Sequence, residues 1–395
     1  MERIGIYGGT FNPPHLGHFR AARHAAAALQ LDRLLLIPDR IAPHKEIPEG
    51  SPTPYQRLEM VRLGAEDFAE VSDLELRREG PSYTYLTVQQ LHRQYPHAKL
   101  FLLMGTDMFL SFSTWRNPEI ILEHAALGVF YRGDADEAAQ IEAEKARMEE
   151  AGAEIHLVEN PVTAISSTQL RRMLVFRCAS EFLPEPVERY IYAQGLYGTQ
   201  QDYRHLSVEQ LRETVIKLLK PNRVAHVLGC AQTAAELAKI YGVDETDALR
   251  AGLLHDITKA LDGPLQLTLC RSYGTILDEF STQNPKTLHA LTGSLVAERI
   301  FGENEAVVQA IRCHTTGKAD MNLLEKIIYV ADYMEPNRDF PGVEKLRSLA
   351  YEDITQALKL GLNMTLDMLR SQNREISPES QQALAFLERE ERKIL

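Results

Sequence analysis

Ile4-Gly5-Ile6-Tyr7-Gly8-Gly9-Thr10-Phe11-Asn12-Pro13-Pro14-His15-Leu16-Gly17-His18 decides the fold of the first half of this chain. Ile4 to Tyr7 is an apolar run that reads as a first β-strand, and the alanine-rich segment from His18 to Leu29 reads as a helix. A strand, a glycine turn and a helix N-terminus in succession make an anion site, because free backbone N–H groups and the helix dipole point at the same place. Gly8 and Gly9 carry no Cβ, so the main chain can come close to a ligand. His15 and His18 stand three apart and share a face on a first helical turn. Two imidazoles over a phosphate site suit a reaction that builds negative charge on phosphorus. The string is neither the dinucleotide fingerprint GxGxxG nor a P-loop, which needs a Lys-Ser/Thr pair.

A length of 395 residues exceeds a usual single domain and predicts two. The net charge is −12, with an acidic excess in both halves. That excludes nucleic acid as the main partner, since a phosphate backbone calls for a basic footprint. Cys178, Cys230, Cys270 and Cys313 are widely spaced with no CxxC pair, which fits a reducing, cytoplasmic compartment rather than a disulfide framework or zinc knuckle. The N-terminus runs straight into a strand, so no signal peptide is expected, and no apolar run is long enough to cross a membrane.

Residues 1–198 alternate strand-like and helix-like segments. Strands are expected at Ile4–Tyr7, Leu34–Ile37, Leu100–Met104, Leu127–Tyr131 and Glu154–Val158, several of them fully apolar as buried parallel strands are. Helices are expected at Pro54–Phe68, capped by Thr53, at Thr84–Tyr95, and at Asp134–Glu150, whose acidic residues read as a solvated face. The alternation predicts an α/β, Rossmann-like domain with a parallel sheet. Gly195 to Asp202 breaks the pattern and begins a linker. From 199 to 395 helical periodicity takes over: Ser207-Val-Glu-Gln210 is a capping box, and further helices are expected through His255, His289–Phe301, Glu305–His314 and Leu323–Met334. The second domain should be all-α, and its last residues, 365–395, are charged and helical with no evident chemistry.

A second string, Ile165-Ser166-Ser167-Thr168-Gln169-Leu170-Arg171, follows the last expected strand. Hydroxyls at a helix start cap free N–H groups and can hold phosphate oxygens, and an arginine one turn on adds charge-assisted contacts. Together the two strings resemble the nucleotidyltransferase superfamily with the HxGH motif, and GGTFNP is similar to the bacterial nicotinate-nucleotide adenylyltransferases. The resemblance spans roughly residues 4–197. It departs from the family at Asn12, where Asp is frequent, at Pro14, and at Arg132-Gly133.

That resemblance implies transfer of AMP from ATP, with Mg²⁺, to nicotinate mononucleotide, giving deamido-NAD. It implies that His15 and His18 are catalytic and bind the triphosphate, with Gly8, Gly9, Thr10 and Phe11 in the loop and Ser166, Ser167, Thr168 and Arg171 clamping phosphates. Pro43-His44-Lys45 is similar to a segment whose lysine binds substrate. Tyr83-Thr84, Asp107 and Trp115, the single tryptophan, resemble the elements that recognise the nicotinate nucleotide, with Arg132 near the adenine or phosphates. Another acceptor, nicotinamide mononucleotide or phosphopantetheine, stays open at this point.

In the second half, His226, His255, Asp256, His289, His314 and Asp332 are candidate metal ligands. Imidazole and carboxylate without thiolate suit iron, manganese or another borderline-to-hard cation. His255 and Asp256 would lie about 100° apart on a helix, so both can line one cavity and Asp256 can bridge two ions. Arg223-Val-Ala-His226, His255-Asp256-Ile-Thr-Lys259 and Ala331-Asp332 resemble the HD phosphohydrolase superfamily, and His289 and His314 imply its two-metal subtype. Arg312-Cys-His314-Thr-Thr-Gly317 and Ala331-Asp-Tyr-Met-Glu335-Pro-Asn-Arg338 are similar to the bacterial symmetrical diadenosine-tetraphosphate hydrolases. This resemblance implies an all-α HD-domain fold, a dinuclear iron or manganese centre, and hydrolysis of diadenosine tetraphosphate to two ADP. By motif position, His226, His255, Asp256 and Asp332 hold one ion and Asp256, His289 and His314 the other, while Lys259 and Arg338 neutralise polyphosphate. Hydrolysis of guanosine polyphosphates or deoxynucleotides, a one-metal site, and a nucleotide-sensing module without turnover stay open here, as does a homo-oligomer.

Overall fold

Parallel strands β1 (Arg3–Gly9), β2 (Arg33–Pro38), β3 (Glu70–Val71), β4 (Lys99–Gly105), β5 (Ala125–Tyr131) and β6 (Ile155–Glu159) form one sheet in the order β3-β2-β1-β4-β5-β6. The computed structural model describes residues 1–43, 47–131, 135–160 and 165–394. These divide into two units, Met1–Gln201 and Asp202–Leu395. Next to that divide, Thr199 donates its hydroxyl to the Leu196 carbonyl at 2.9 Å and Gln201 its N–H to Gly198 at 3.1 Å.

In the first unit, helices α1 (Leu16–Ala28), α2 (Pro54–Ala65), α3 (Thr84–Gln94), α4 (Thr106–Leu110), α5 (Pro118–His124), α6 (Ala135–Glu150), α7 (Ser167–Val175) and α8 (Glu185–Ala193) connect and follow the strands. Successive strand residues face opposite sides. Ile4, Ile6, Leu35, Ile37, Leu100 and Leu102 pack on one side with Val88, Leu91, Ile121 and Ile141 from α3, α5 and α6. Leu34, Leu36, Phe101 and Leu103 pack on the other with Phe19, Ala22 and Ala25 of α1 and Val61 of α2. The strand order reverses direction between β1 and β4. In an open α/β sheet that switch leaves a crevice beyond the carboxyl ends of the strands, where ligands bind.

Every expected strand is present; the two-residue edge strand β3 was not foreseen, because Glu70-Val71 is too short to show a period. Helix α1 begins at Leu16, two residues before the expected start. His15 is its N-cap in an extended conformation (φ −145°, ψ 168°), so the two histidines meet as cap and third helical residue rather than as neighbours within the helix. Thr53 caps α2 through the Gln56 N–H, as its sequence predicts.

The second unit is helical: α9 (Val208–Leu218), α10 (Val224–Tyr241), α11 (Glu245–Leu254), α12 (Gly263–Ser272), α13 (Glu279–Gln283), α14 (Leu288–Val296), α15 (Glu305–Cys313), α16 (Leu323–Met334), α17 (Val343–Glu352), α18 (Ile354–Ser371) and α19 (Pro378–Ile394). Ser207 caps α9 through the Gln210 N–H. α10 and α11 lie close because Gly252 faces Ala231, where a Cβ would come within 2.5 Å of the Ala231 Cα. Among the described residues no helix is long and apolar enough to cross a membrane.

Candidate functional sites

The first site is a cavity of about 820 Å³ at the carboxyl ends of β1 and β4. Gly8, Gly9, Thr10, Phe11, His15 and His18 line one part of it, Thr84, Asp107 and Trp115 another, and Ser166, Ser167 and Thr168 a third. Lys45 and Arg132 lie outside the described residues. The His15 and His18 rings lie against each other, centroids 3.7 Å apart and planes tilted by 38°. The His15 backbone N–H donates to His18 Nδ1 at 3.2 Å. An acceptor at Nδ1 puts the proton of the neutral ring on Nε2, ready to be donated to an anion. Burial pushes His15 down to about 4, so it stays neutral near pH 7. Phe11 packs edge-on to the His18 ring at 5.2 Å and to Tyr7 at 5.7 Å, which fixes the ring plane.

The loop itself is braced from several directions. Arg57 of α2, with no exposed surface, donates to the Thr10 carbonyl at 2.6 Å, to Asp39 Oδ1 at 3.0 Å and to the Asp39 carbonyl at 2.7 Å. Thr10 in turn donates its hydroxyl to Asp39 Oδ2 at 2.7 Å. Ser166 caps α7 by accepting the Gln169 N–H at 3.2 Å. Arg171, expected on phosphate, donates to the Asn12 carbonyl at 2.7 Å and to Thr168 Oγ1 at 3.0 Å, so it ties the two strings together. Glu75, also lining the cavity, accepts the Thr87 hydroxyl at 2.6 Å. Burial lifts its carboxyl to about 7, against the pull of Thr87, Ser82 and Arg78. Asp39, Arg57 and Glu75 escaped sequence reading. An arginine at a core-facing position of an apolar helix was the available signal for Arg57.

In the second unit the six candidate ligands come together. His226 lies in the first turn of α10, His289 at the start of α14 and Asp332 in the last turn of α16. His255 is the C-cap of α11 and His314 the C-cap of α15. Asp256 therefore sits in the turn after α11 rather than on the helix, which corrects the expected helical geometry of the pair. His226, His255 and Asp332 form one cluster whose ligand atoms lie within 4.8 Å of one another; His255, Asp256 and His314 form a second. Asp256 spans both: Oδ2 is 3.6 Å from His226 Nε2 and 3.7 Å from His255 Nε2, while Oδ1 is 3.5 Å from His289 Nε2 and 4.0 Å from His314 Nε2.

Each ring is oriented from behind. His255 donates Nδ1–H to the Gly252 carbonyl at 2.7 Å, His314 to Ile311 at 2.7 Å and His289 to Lys286 at 2.9 Å. A carbonyl can only accept, so the tautomer is fixed and the Nε2 lone pair faces the centre. His226 Nδ1 meets Glu335 Oε1 at 3.2 Å, and Glu335 is itself buried and held by the Asn337 backbone and side-chain N–H groups, both at 2.8 Å. Gly229 makes room for it, since a Cβ there would clash with Glu335 Oε2. Burial pushes His255 and His289 well down and His314 to about 4, which keeps the rings neutral and able to take a cation. Burial alone would raise Asp332, but the hydrogen bond to His226, the imidazoles of His255 and His314 that face it and the Arg338 guanidinium outweigh it and hold the carboxylate well below its usual range. The buried Asp256 Oδ2 is in contact with Arg223. Inward lone pairs and two carboxylates, with no thiolate, are the donor set of a divalent-cation site.

The two cations expected to meet polyphosphate are otherwise engaged. Lys259 Nζ donates to His289 Nε2 at 2.8 Å, and burial lowers its ammonium to about 8. Arg338 donates to Asp332 Oδ1 at 2.7 Å and to the Asp332 carbonyl at 2.9 Å.

Comparison with known proteins assigns a family to each half. Residues 6–173 match the Cytidylyltransferase-like family and residues 223–337 the HD domain family. The chain is 37% identical over 210 residues to a probable nicotinate-nucleotide adenylyltransferase of Pseudomonas syringae pv. tomato, covering 50% of this chain and 94% of that protein. It is 41% identical over 179 residues to a symmetrical bis(5'-nucleosyl)-tetraphosphatase of Halalkalibacterium halodurans, covering 43% of this chain and 92% of that protein. A separate probable nicotinate-nucleotide adenylyltransferase of the same organism is 36% identical over 216 residues, covering 53% of this chain and 98% of that protein. The chain thus belongs to the nicotinate-nucleotide adenylyltransferase family through its first half and to the symmetrical bis(5'-nucleosyl)-tetraphosphatase family, an HD-domain family, through its second.

Proposed function

We propose that the chain is a bifunctional enzyme whose first half, residues 1–198, adenylylates nicotinate mononucleotide and whose second half, residues 199–395, hydrolyses diadenosine tetraphosphate. The first activity rests on the paired His15 and His18 rings at one end of a cavity that carries Thr84, Asp107 and Trp115 elsewhere in its wall. ATP with Mg²⁺ lies along the glycine loop, and the pyridine nucleotide lies toward Trp115. A phosphate oxygen of the mononucleotide forms a bond to the α-phosphorus of ATP as the bond from that phosphorus to the β-phosphate oxygen breaks. Deamido-NAD and pyrophosphate result. His18 donates Nε2–H to the α-phosphate as its charge grows, while the loop N–H groups and Ser166–Thr168 hold the leaving phosphates. Catalysis is positioning and charge stabilisation, with no covalent enzyme intermediate. An acceptor panel with labelled ATP tests the assignment; transfer to nicotinamide mononucleotide at a rate equal to or above that to nicotinate mononucleotide overturns it.

The second activity rests on Asp256, whose two oxygens face two separate histidine pairs. The ligand set fits a dinuclear centre, for which iron, or manganese in its place, is the proposed metal. Bound cations there polarise phosphate oxygens and supply a reactive water at neutral pH. The chain's own residues orient that chemistry: His255, His289 and His314 turn their Nε2 atoms to the centre, and Lys259 and Arg338 exchange their contacts with His289 and Asp332 for the polyphosphate as it binds. Water adds to one of the two central phosphorus atoms, the bond to the bridging oxygen breaks, and two ADP leave. Metal analysis with a tetraphosphate hydrolysis assay tests this; a fully active chain holding one ion, or binding without release of ADP, overturns it.

A further inference from the structure

The turn after α8 lies where the sequence suggests a linker, yet it folds back onto the first site. We infer that Tyr197 is a positioning residue for adenylyl transfer: its hydroxyl holds the Asn12 side chain and, through it, the phosphate-binding loop. This inference rests on the adenylyltransferase reading of the first half.

Tyr197 adopts a left-handed backbone conformation (φ 58°), as does Gly195 two residues earlier (φ 63°). A non-glycine residue keeps that conformation only where its surroundings hold it, and such places cluster at functional sites. Here the hold comes from both ends. Behind the turn, the buried Thr199 donates to the Leu196 carbonyl at 2.9 Å, and Arg177 donates to the Thr199 carbonyl. In front, the Tyr197 hydroxyl donates to Asn12 Oδ1 at 2.8 Å. Arg171 and Arg57 grip the same loop through the carbonyls of Asn12 and Thr10.

Asn12 is the point where these restraints meet. It is 5% exposed and sits between Phe11 and the segment that leads to His15. Its Oδ1 accepts from Tyr197, its Nδ2 donates to Ser51 Oγ at 3.1 Å, and its carbonyl accepts from Arg171 at 2.7 Å. The amide plane is thus fixed at both ends, and the main chain between Thr10 and His15 cannot turn without breaking one of these bonds. A reaction that works by positioning depends on that fixity, because small displacements of a binding group are costly in rate. Removing the hydroxyl leaves a buried carbonyl oxygen without its donor and frees the amide to rotate. The loop addresses the triphosphate, so ATP and not the acceptor should feel the change.

The test uses the full chain and Tyr197→Phe, alone and combined with Asn12→Ala. ATP binding by calorimetry is the first readout, followed by steady-state transfer with each substrate varied, tetraphosphate hydrolysis and thermal melting. The expected result is a loss of about tenfold in ATP affinity and in kcat/KM for ATP, with KM for the acceptor and hydrolysis unchanged and the melting temperature lowered by no more than the few degrees that one lost buried hydrogen bond costs. In the Asn12→Ala background the same substitution should have no further effect. Unchanged ATP binding in Tyr197→Phe overturns the inference. So does an undiminished loss in the Asn12→Ala background, or a parallel fall of both activities with a lowered melting temperature. A parent chain that binds ATP but transfers nothing to nicotinate mononucleotide refutes the functional reading instead, and the binding comparison still decides the role of Tyr197.

Discussion

Arg57 and Asp39 form a pair buried in the first unit, 3.0 Å apart, and both hold Thr10 of the glycine loop. Removing one partner strands the other charge away from water, which is worse than removing both. Arg57→Met should therefore destabilise the first unit by roughly 3–5 kcal/mol, whereas Arg57→Met with Asp39→Leu should recover much of that. Urea unfolding of the parent and the two variants measures the difference. Equal stability in the single and double variants would show that the stranded carboxylate is not the cause.

His18 accepts the His15 N–H at Nδ1, so the neutral ring carries its proton on Nε2, the nitrogen that donates in the proposed reaction. His18→Ala should lower kcat for adenylyl transfer by about 10²–10³, with ATP binding reduced far less. The fold should survive, since His18 is only partly buried. Stopped-flow or steady-state pyrophosphate release checks this, and near-parent turnover would remove the assignment.

Glu75 gives the first site a pH signature. Its carboxyl is lifted to about 7 by burial from the ordinary 4.5, so the folded chain keeps that proton over a range where the unfolded chain has lost it. The folded state binds more protons between these values, so this group's contribution to stability falls as pH rises from 4.5 to about 7. The full swing is about 3 kcal/mol at most. Glu75→Gln should flatten the stability–pH curve in that window and leave the curve above it parallel to the parent. Denaturant midpoints across the window make the comparison, and an unchanged slope would refute it.

In the second unit, Glu335 acts from behind His226. Glu335→Gln should weaken metal binding by about 10- to 100-fold, while Asp256→Asn should abolish hydrolysis because it removes the carboxylate whose two oxygens face the two histidine pairs. Neither should alter adenylyl transfer. Metal titration and the two activity assays on the same preparation separate these outcomes.

Much of this was legible in the residues. Parallel strands such as Leu34–Ile37 and Leu100–Met104 are continuous apolar runs, and a period of that kind survives any tertiary context. Caps were legible for the same local reason: Thr53, Ser166 and Ser207 each bind the N–H three residues on. The histidines and carboxylates stood out by chemistry and by motif. What the sequence concealed was support from a distance. Tyr197 lies 185 positions from Asn12, Glu335 lies 109 from His226, and Arg57 lies 47 from Thr10. No periodicity links such pairs; only the folded chain brings them together. The place of Asp256 was misjudged for a smaller reason. Helix α11 ends one residue earlier than its pattern suggests, and the pair straddles the end.

The rings of His255, His289 and His314 each take their bearing from the carbonyl three residues back in their own helix or turn. The fold itself therefore aims these three rings, and capture requires little ordering of the helices that carry them. A chelator should strip the cation without melting the helices around it, unlike small zinc domains whose fold is made by the ion. Such a vessel can be refilled, and which metal it carries in a cell becomes a matter of what the cell has in supply.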